Sequence, residues 1–69
     1  MESILPKAEA ILGFIYGYVN ENEYPPSRQE IASAFQMSVT SAQYWVKYLE
    51  KKGRIEVIKG SNARNIKVL

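Results

Sequence analysis

The chain has 69 residues, of which 46% are hydrophobic and 23% charged, a composition typical of one small folded domain. It contains no cysteine and no histidine, which excludes disulfides, the usual zinc ligand sets and the commonest catalytic side chains. We therefore expect a non-enzymatic protein with no metal, cofactor or small-molecule ligand. Without a long apolar run or a signal-peptide pattern, we also expect it to be cytoplasmic.

The net charge of +2 is unevenly distributed along the chain. Residues 1–35 hold two basic and five acidic side chains, whereas residues 36–69 hold seven basic and two acidic ones. A basic C-terminal half suits a polyanionic partner, and a solvated basic surface is the alternative interpretation.

The first predicted helix covers residues 5–20, where apolar residues at positions 8, 11, 12, 15 and 19 share one side. Pro6 suits its first turn, which needs no intrahelical N–H donor. Residues 20–26 end in two prolines and cannot continue the helix, so they predict a loop.

A second helix is predicted to start after Ser27, because Ser27 and Glu30 have the spacing of a capping box. Ser38 is a second capping candidate a few residues later, so the second and third helices should meet across a tight turn. The third helix is predicted over residues 39–52 and ends at Gly53. Its apolar side holds Ala42, Trp45, Val46 and Leu49, and the opposite side holds Thr40, Tyr44, Lys47 and Lys51.

Two β-prone runs follow, residues 54–58 and 65–69, separated by a turn-rich segment. They predict a β-hairpin in the register that pairs Val57 with Ile66, Ile55 with Val68 and Glu56 with Lys67.

Three helices and a terminal hairpin predict an α+β, mainly helical winged helix-turn-helix that spans residues 1–69 as one domain. A generic three-helix bundle is the alternative, although it would not require the hairpin.

Two segments carry a family resemblance. Residues 24–32, with the sequence YPPSRQEIA, and residues 49–56, with the sequence LEKKGRIE, together resemble the N-terminal DNA-binding domain of LexA repressors. The resemblance implies sequence-specific binding of double-stranded DNA by a prokaryotic or phage transcriptional regulator, most often a repressor. It also implies that the third helix enters the major groove.

The chain departs from this family at several places. Gln36 occupies the turn position that the family usually gives to glycine, so the turn must hold a left-handed Gln or follow another path. Residues 39–45 do not resemble the operator-reading residues of the repressors, and the wing differs around Asn62 and Ala63. The repressors also have a second, self-cleaving dimerisation domain, for which we expect no room in 69 residues.

The candidate DNA contacts lie on the third helix, at the start of the second helix and on the wing. We expect Thr40, Gln43 and Tyr44 to discriminate bases, and Arg28 and Lys47 to hold phosphates. The full predicted set is Arg28, Thr40, Ser41, Gln43, Tyr44, Lys47, Lys59, Asn62 and Arg64. The competing interpretations are a solvated helix face, a surface salt bridge from Arg28 to a glutamate, and an exposed loop rich in turn formers.

A second hypothesis is a protein-interaction module that uses Tyr44, Tyr48 or helix one to bind a regulator or RNA polymerase. Two glycines within helix one are unfavourable by about 1 kcal/mol each relative to alanine, and a closely packed partner helix would explain them. The predicted interface, which would support a weak homodimer, comprises Ala10, Gly13, Phe14, Gly17 and Tyr18. A tolerated imperfection is the alternative.

Overall fold

The computed structural model describes residues 3–60 and 63–69. They form three helices and a two-stranded antiparallel sheet: α1 (Pro6–Asn22), α2 (Arg28–Phe35), α3 (Val39–Lys51), β1 (Ile55–Val57) and β2 (Ile66–Val68). This confirms the predicted winged helix-turn-helix, mainly helical with a terminal hairpin. Among the described residues, no helix has the length and apolar character that crossing a membrane requires.

Helix α1 continues two residues beyond its predicted end. The side-chain amide of Asn22 donates to the carbonyl of Tyr18 at 3.0 Å, and the left-handed Glu23 donates its backbone N–H to Val19 at 2.8 Å. These bonds satisfy carbonyls that would otherwise lack a partner, so the helix persists to Asn22. The predicted loop is correspondingly shorter.

The core lies where the apolar stripes of the three helices meet the inner face of the hairpin. Its buried side chains come from every element: Ala8, Ile11, Leu12, Ile15, Ile31, Ala32, Ala42, Val46, Leu49, Ile55 and Ile66. Trp45 is half-buried and packs against this core, as predicted. The observed packing confirms the apolar positions predicted for α1 and α3.

The predicted capping box begins α2. The Ser27 hydroxyl accepts from the backbone N–H of Glu30 at 3.2 Å, and the Glu30 carboxylate accepts from the backbone N–H of Ser27 at 2.9 Å. The helix ends at a left-handed Gln36 with φ of 54°, and the N–H of Met37 closes the turn on the carbonyl of Ala32 at 2.9 Å. The turn therefore keeps a glycine-like path with a Gln.

Both ends of α3 follow the sequence signals. The Ser38 hydroxyl accepts from the backbone N–H of Ser41 at 3.1 Å, and Gly53 adopts a left-handed φ of 76° after the last turn. The hairpin pairs Ile55 with Val68, Glu56 with Lys67 and Val57 with Ile66, which confirms the predicted register. Since Ile55 and Ile66 are buried, the wing is anchored to the helical core at its base.

Candidate nucleic-acid interface

The outer face of α3 presents polar side chains to solvent. Thr40, Tyr44 and Lys47 are exposed, and 60% of Tyr44 is accessible. They are spaced three or four residues apart, so they form one row along the helix. Ser41 is half-buried beside this row, and its hydroxyl oxygen accepts from the Ser38 hydroxyl at 3.2 Å. The row is therefore presented by a helix whose first turn is capped.

Aromatic packing fixes the middle of the same face. The ring of Trp45 lies edge-on to Tyr44, with 5.2 Å between centroids, and to Tyr48, with 5.4 Å. The hydroxyl of Tyr48 accepts from the backbone N–H of Leu5 at 3.1 Å, and the ammonium of Lys52 lies 5.6 Å from its ring centroid. Tyr48 thus holds α3 against the residue that precedes α1, which gives it a structural role.

Arg28 joins the start of α2 to α3 and to the wing. Its Nε donates to Oε1 of Gln43 at 2.9 Å, and its Nη1 donates to Oδ1 of Asn65. Partial burial lowers the pKa of the Arg28 guanidinium from its ordinary value. Its hydrogen bonds run to uncharged groups, and the charge of Glu50 acts on it without a direct bond between the two side chains in the described residues. The predicted phosphate contact of Arg28 stays a prediction.

Arg64 points back towards α2, and its predicted contact with DNA from the wing stays a prediction. Its guanidinium binds the Glu30 carboxylate at 2.6 and 2.8 Å and donates to the Tyr18 hydroxyl at 3.2 Å. It also lies 4.8 Å from the ring centroid of Tyr24. The anionic partner of Arg64 is therefore Glu30, the glutamate of the α2 capping box.

The electrostatic consequence of this pairing is strongest at Glu30. The hydrogen bond from Arg64 lowers the pKa of the Glu30 carboxyl to about 2, with a further contribution from the backbone N–H of Ser27. One carboxylate therefore caps α2 and binds Arg64 at the end of the wing turn.

The rest of the wing is more exposed. Lys59 is exposed in the hairpin turn, next to Gly60, whose φ of 76° is left-handed. Asn62, which was predicted to contact DNA, lies outside the described residues. Of the two wing cations predicted to contact DNA, Lys59 is exposed and Arg64 is half-buried.

The predicted interface on α1 divides into two parts. Ala10, Gly13 and Gly17 are exposed, and apart from the adjacent residues and the nearby backbone of α1, no heavy atom of the described chain lies within 4 Å of where a Cβ of either glycine would stand. Phe14 and Tyr18 instead turn towards the fold: Phe14 packs edge-on to Phe35 at 5.7 Å, and Tyr18 packs on Tyr24 at 5.9 Å. The homodimer itself stays a prediction.

Sequence reasoning missed Asn65 as a member of the site. Asn65 ends the turn-rich segment and precedes β2, where its side-chain amide donates to the carbonyl of Ile58 at 3.1 Å. A polar residue at the turn end of a hairpin was the available signal, but its contact with Arg28 joins residues 37 positions apart. Local patterns do not report contacts at that separation.

Comparison with known proteins identifies the family to which this fold and its candidate site belong. The family model of the LexA DNA binding domain matches residues 1–64. The chain belongs to that family. The resemblance found in the sequence is therefore confirmed, and α2 and α3 are the helix-turn-helix of a LexA-type DNA-binding domain.

Curated LexA repressors of three bacteria illustrate the similarity. The chain is 37% identical to the repressor of Pseudothermotoga lettingae over 68 residues, which cover 99% of this chain and 33% of the repressor. Identity is 41% over 56 residues with that of Thermotoga neapolitana, covering 81% of this chain and 28% of the relative. It is 47% over 51 residues with that of Lactiplantibacillus plantarum, covering 72% and 24%. The chain thus spans a third or less of the repressors it matches.

Proposed function

We propose that this chain binds double-stranded DNA sequence-specifically, with α3 in the major groove, and acts in the cytoplasm as a transcriptional repressor at the nucleoid. The observation that supports this most is the exposed row of Thr40, Tyr44 and Lys47 on the second helix of a LexA-type helix-turn-helix. The caps and the aromatic packing hold that row in place before any ligand binds, which lowers the cost of ordering it.

The side chains divide by chemistry into two groups. Thr40, Gln43 and Tyr44 offer hydroxyl and amide groups, which suit hydrogen bonds to base edges. Lys47 on α3 and Lys59 on the wing are exposed ammonium groups, which suit phosphates on either side of the groove. A shape-complementary helix with flanking cations is the arrangement that helix-turn-helix proteins use on duplex DNA.

The alternative, a protein-interaction module, relies on exposed aromatic groups. A shallow cleft of about 360 Å³ lies among Tyr44, Lys47, Tyr48 and Lys51. Two of its four lining residues are lysines, and the Tyr48 hydroxyl already holds the N–H of Leu5. The two lysines that flank this cleft suit an anionic ligand along α3, so we place DNA binding first.

Selection from a pool of random duplexes, followed by affinity measurements over a range of salt concentrations, tests the proposal. We expect an enriched sequence motif and an affinity that falls steeply as salt rises. Lys47→Ala should make the log–log slope shallower by about one, the loss of one phosphate contact. Lys7→Ala removes an equal charge from α1 and should leave the slope unchanged. Absence of an enriched motif, or salt-independent binding, would contradict the proposal.

We also propose that two copies pair weakly through α1 on DNA that carries two half-sites, as helix-turn-helix proteins commonly do. The exposure of Ala10, Gly13 and Gly17 and the open space above the two glycines support a close helix contact there. Phe14 and Tyr18 would flank this contact, since both are half-buried at its edge.

A further inference from the structure

We infer that Arg28 is a positioning residue for sequence readout, which orients the Gln43 amide towards the bases, and that it does not act mainly by binding phosphate. The inference rests on the proposed function, because it concerns how α3 would read DNA. It reverses the role that the sequence pattern suggested for Arg28.

The directions of three successive hydrogen bonds fix the orientation of Gln43. The side-chain amide of Asn65 donates to the backbone carbonyl of Ile58 at 3.1 Å, so its Oδ1 is left to accept. Arg28 Nη1 donates to that Oδ1, and Arg28 Nε donates to Oε1 of Gln43 at 2.9 Å. The backbone carbonyl of Ile58, at the turn end of β1, therefore sets the direction of each hydrogen bond in this series.

A guanidinium has hydrogen-bond donors and no acceptor, so the Gln43 atom that faces Arg28 must be the carbonyl oxygen. The amide nitrogen is then directed away from Arg28. An unrestrained glutamine can exchange its oxygen and nitrogen by rotating about its last bond, and so can offer either a donor or an acceptor at one place. Held by Arg28, Gln43 has one orientation, which a base edge can match or fail to match.

The surroundings of Arg28 also argue against a mainly phosphate-binding role. Arg28 and Gln43 are both half-buried, and two of the guanidinium nitrogens are already engaged by uncharged partners on different elements. The exposed ammonium groups of Lys47 and Lys59 are better placed for phosphates. The fork geometry of arginine is what lets one side chain bond α3 and the wing together, and lysine cannot reproduce it.

Arg28→Lys distinguishes the positioning of Gln43 from phosphate binding, because lysine keeps the positive charge but lacks the planar fork of the guanidinium. The assay measures binding of each variant to the selected duplex and to duplexes with single base-pair changes. A good contact by Gln43 gives the wild type a preference of about 5- to 150-fold at one base pair. We expect Arg28→Lys and Gln43→Ala to lower the preference at that same base pair towards onefold, and the double variant to lose no more than either alone.

Two further variants complete the experiment. Lys47→Ala is the control, and it should weaken binding to all duplexes by a similar factor while keeping the preference. Asn65→Ala removes the second anchor of Arg28 and should reduce the preference at the same base pair, which provides a test if Arg28→Lys folds poorly. Thermal melting of each variant checks the fold, since a purely structural loss would weaken binding to every duplex alike.

The outcomes distinguish this inference from the proposed function. A wild-type chain with no sequence preference contradicts the proposed function. A wild-type preference that survives intact in Arg28→Lys and Asn65→Ala contradicts the positioning role alone. So does a preference lost at different base pairs in Arg28→Lys and Gln43→Ala, or losses that add in the double variant.

Discussion

Gln36→Gly should stabilise the protein, because residue 36 holds a left-handed conformation that disfavours any side chain with a Cβ. Its φ of 54° and ψ of 49° lie in the region that costs a non-glycine residue about 1–2 kcal/mol. Glycine removes that cost but loses about 0.5–1 kcal/mol more backbone entropy on folding. With the midpoints of both ranges, the net gain is about 0.75 kcal/mol, or about 3–6 °C in Tm for a domain of this size.

Gln36→Ala is the matched control, since it removes the same polar side chain but keeps the Cβ. Thermal unfolding followed by circular dichroism compares the two variants with the parent chain. We expect the glycine variant to melt higher than both, with unchanged DNA affinity because the turn keeps its path. A glycine variant that melts no higher than the alanine variant would refute the argument that backbone strain is stored in this turn.

Three further predictions concern the wing and α1. Because the pKa of Glu30 is lowered from 4.5 to about 2, its charge stabilises the fold above about pH 4.5, and this contribution is lost as the pH falls towards 2. The Tm advantage of the parent over Glu30→Gln should therefore be constant above pH 5 and shrink below it. A pH-independent difference in Tm would contradict the pairing with Arg64. Lys59→Ala should make the salt slope of DNA binding shallower by about one, and an unchanged slope would remove the wing contact. Replacing Gly13 and Gly17 with alanine should raise the stability of α1 by up to about 1 kcal/mol each. The same change should weaken pairing of two copies on a two-site duplex, as measured by light scattering coupled to gel filtration. A double variant that pairs like the parent would exclude the α1 interface.

The elements of the fold could be predicted because their signals are local. A capping box at Ser27 and Glu30, a glycine at position 53 and alternating apolar residues in the hairpin each determine structure within a few residues. The end of α1 was missed by two residues because it depends on a side-chain bond from Asn22 and a left-handed Glu23, neither of which has a strong sequence signature.

The candidate site was only partly predictable, since its central contacts join distant positions. The exposed row on α3 follows directly from helical periodicity. The pairing of Glu30 with Arg64 spans 34 positions, and the pattern of a capping box had already given Glu30 a complete local role. Arg28 was read as a surface cation because its partners on α3 and the wing become neighbours only in the folded chain.

Chemical-shift mapping of the ¹⁵N-labelled chain with the selected duplex, trimmed to one half-site, tests most directly whether α3 and the wing form the DNA-binding face. One half-site removes any effect of pairing through α1. If the account is right, the largest backbone amide shifts lie at Thr40, Gln43, Tyr44, Lys47 and Lys59, while the amides of Gly13 and Gly17 stay in place. Shifts centred on α1, with α3 unmoved, would contradict it.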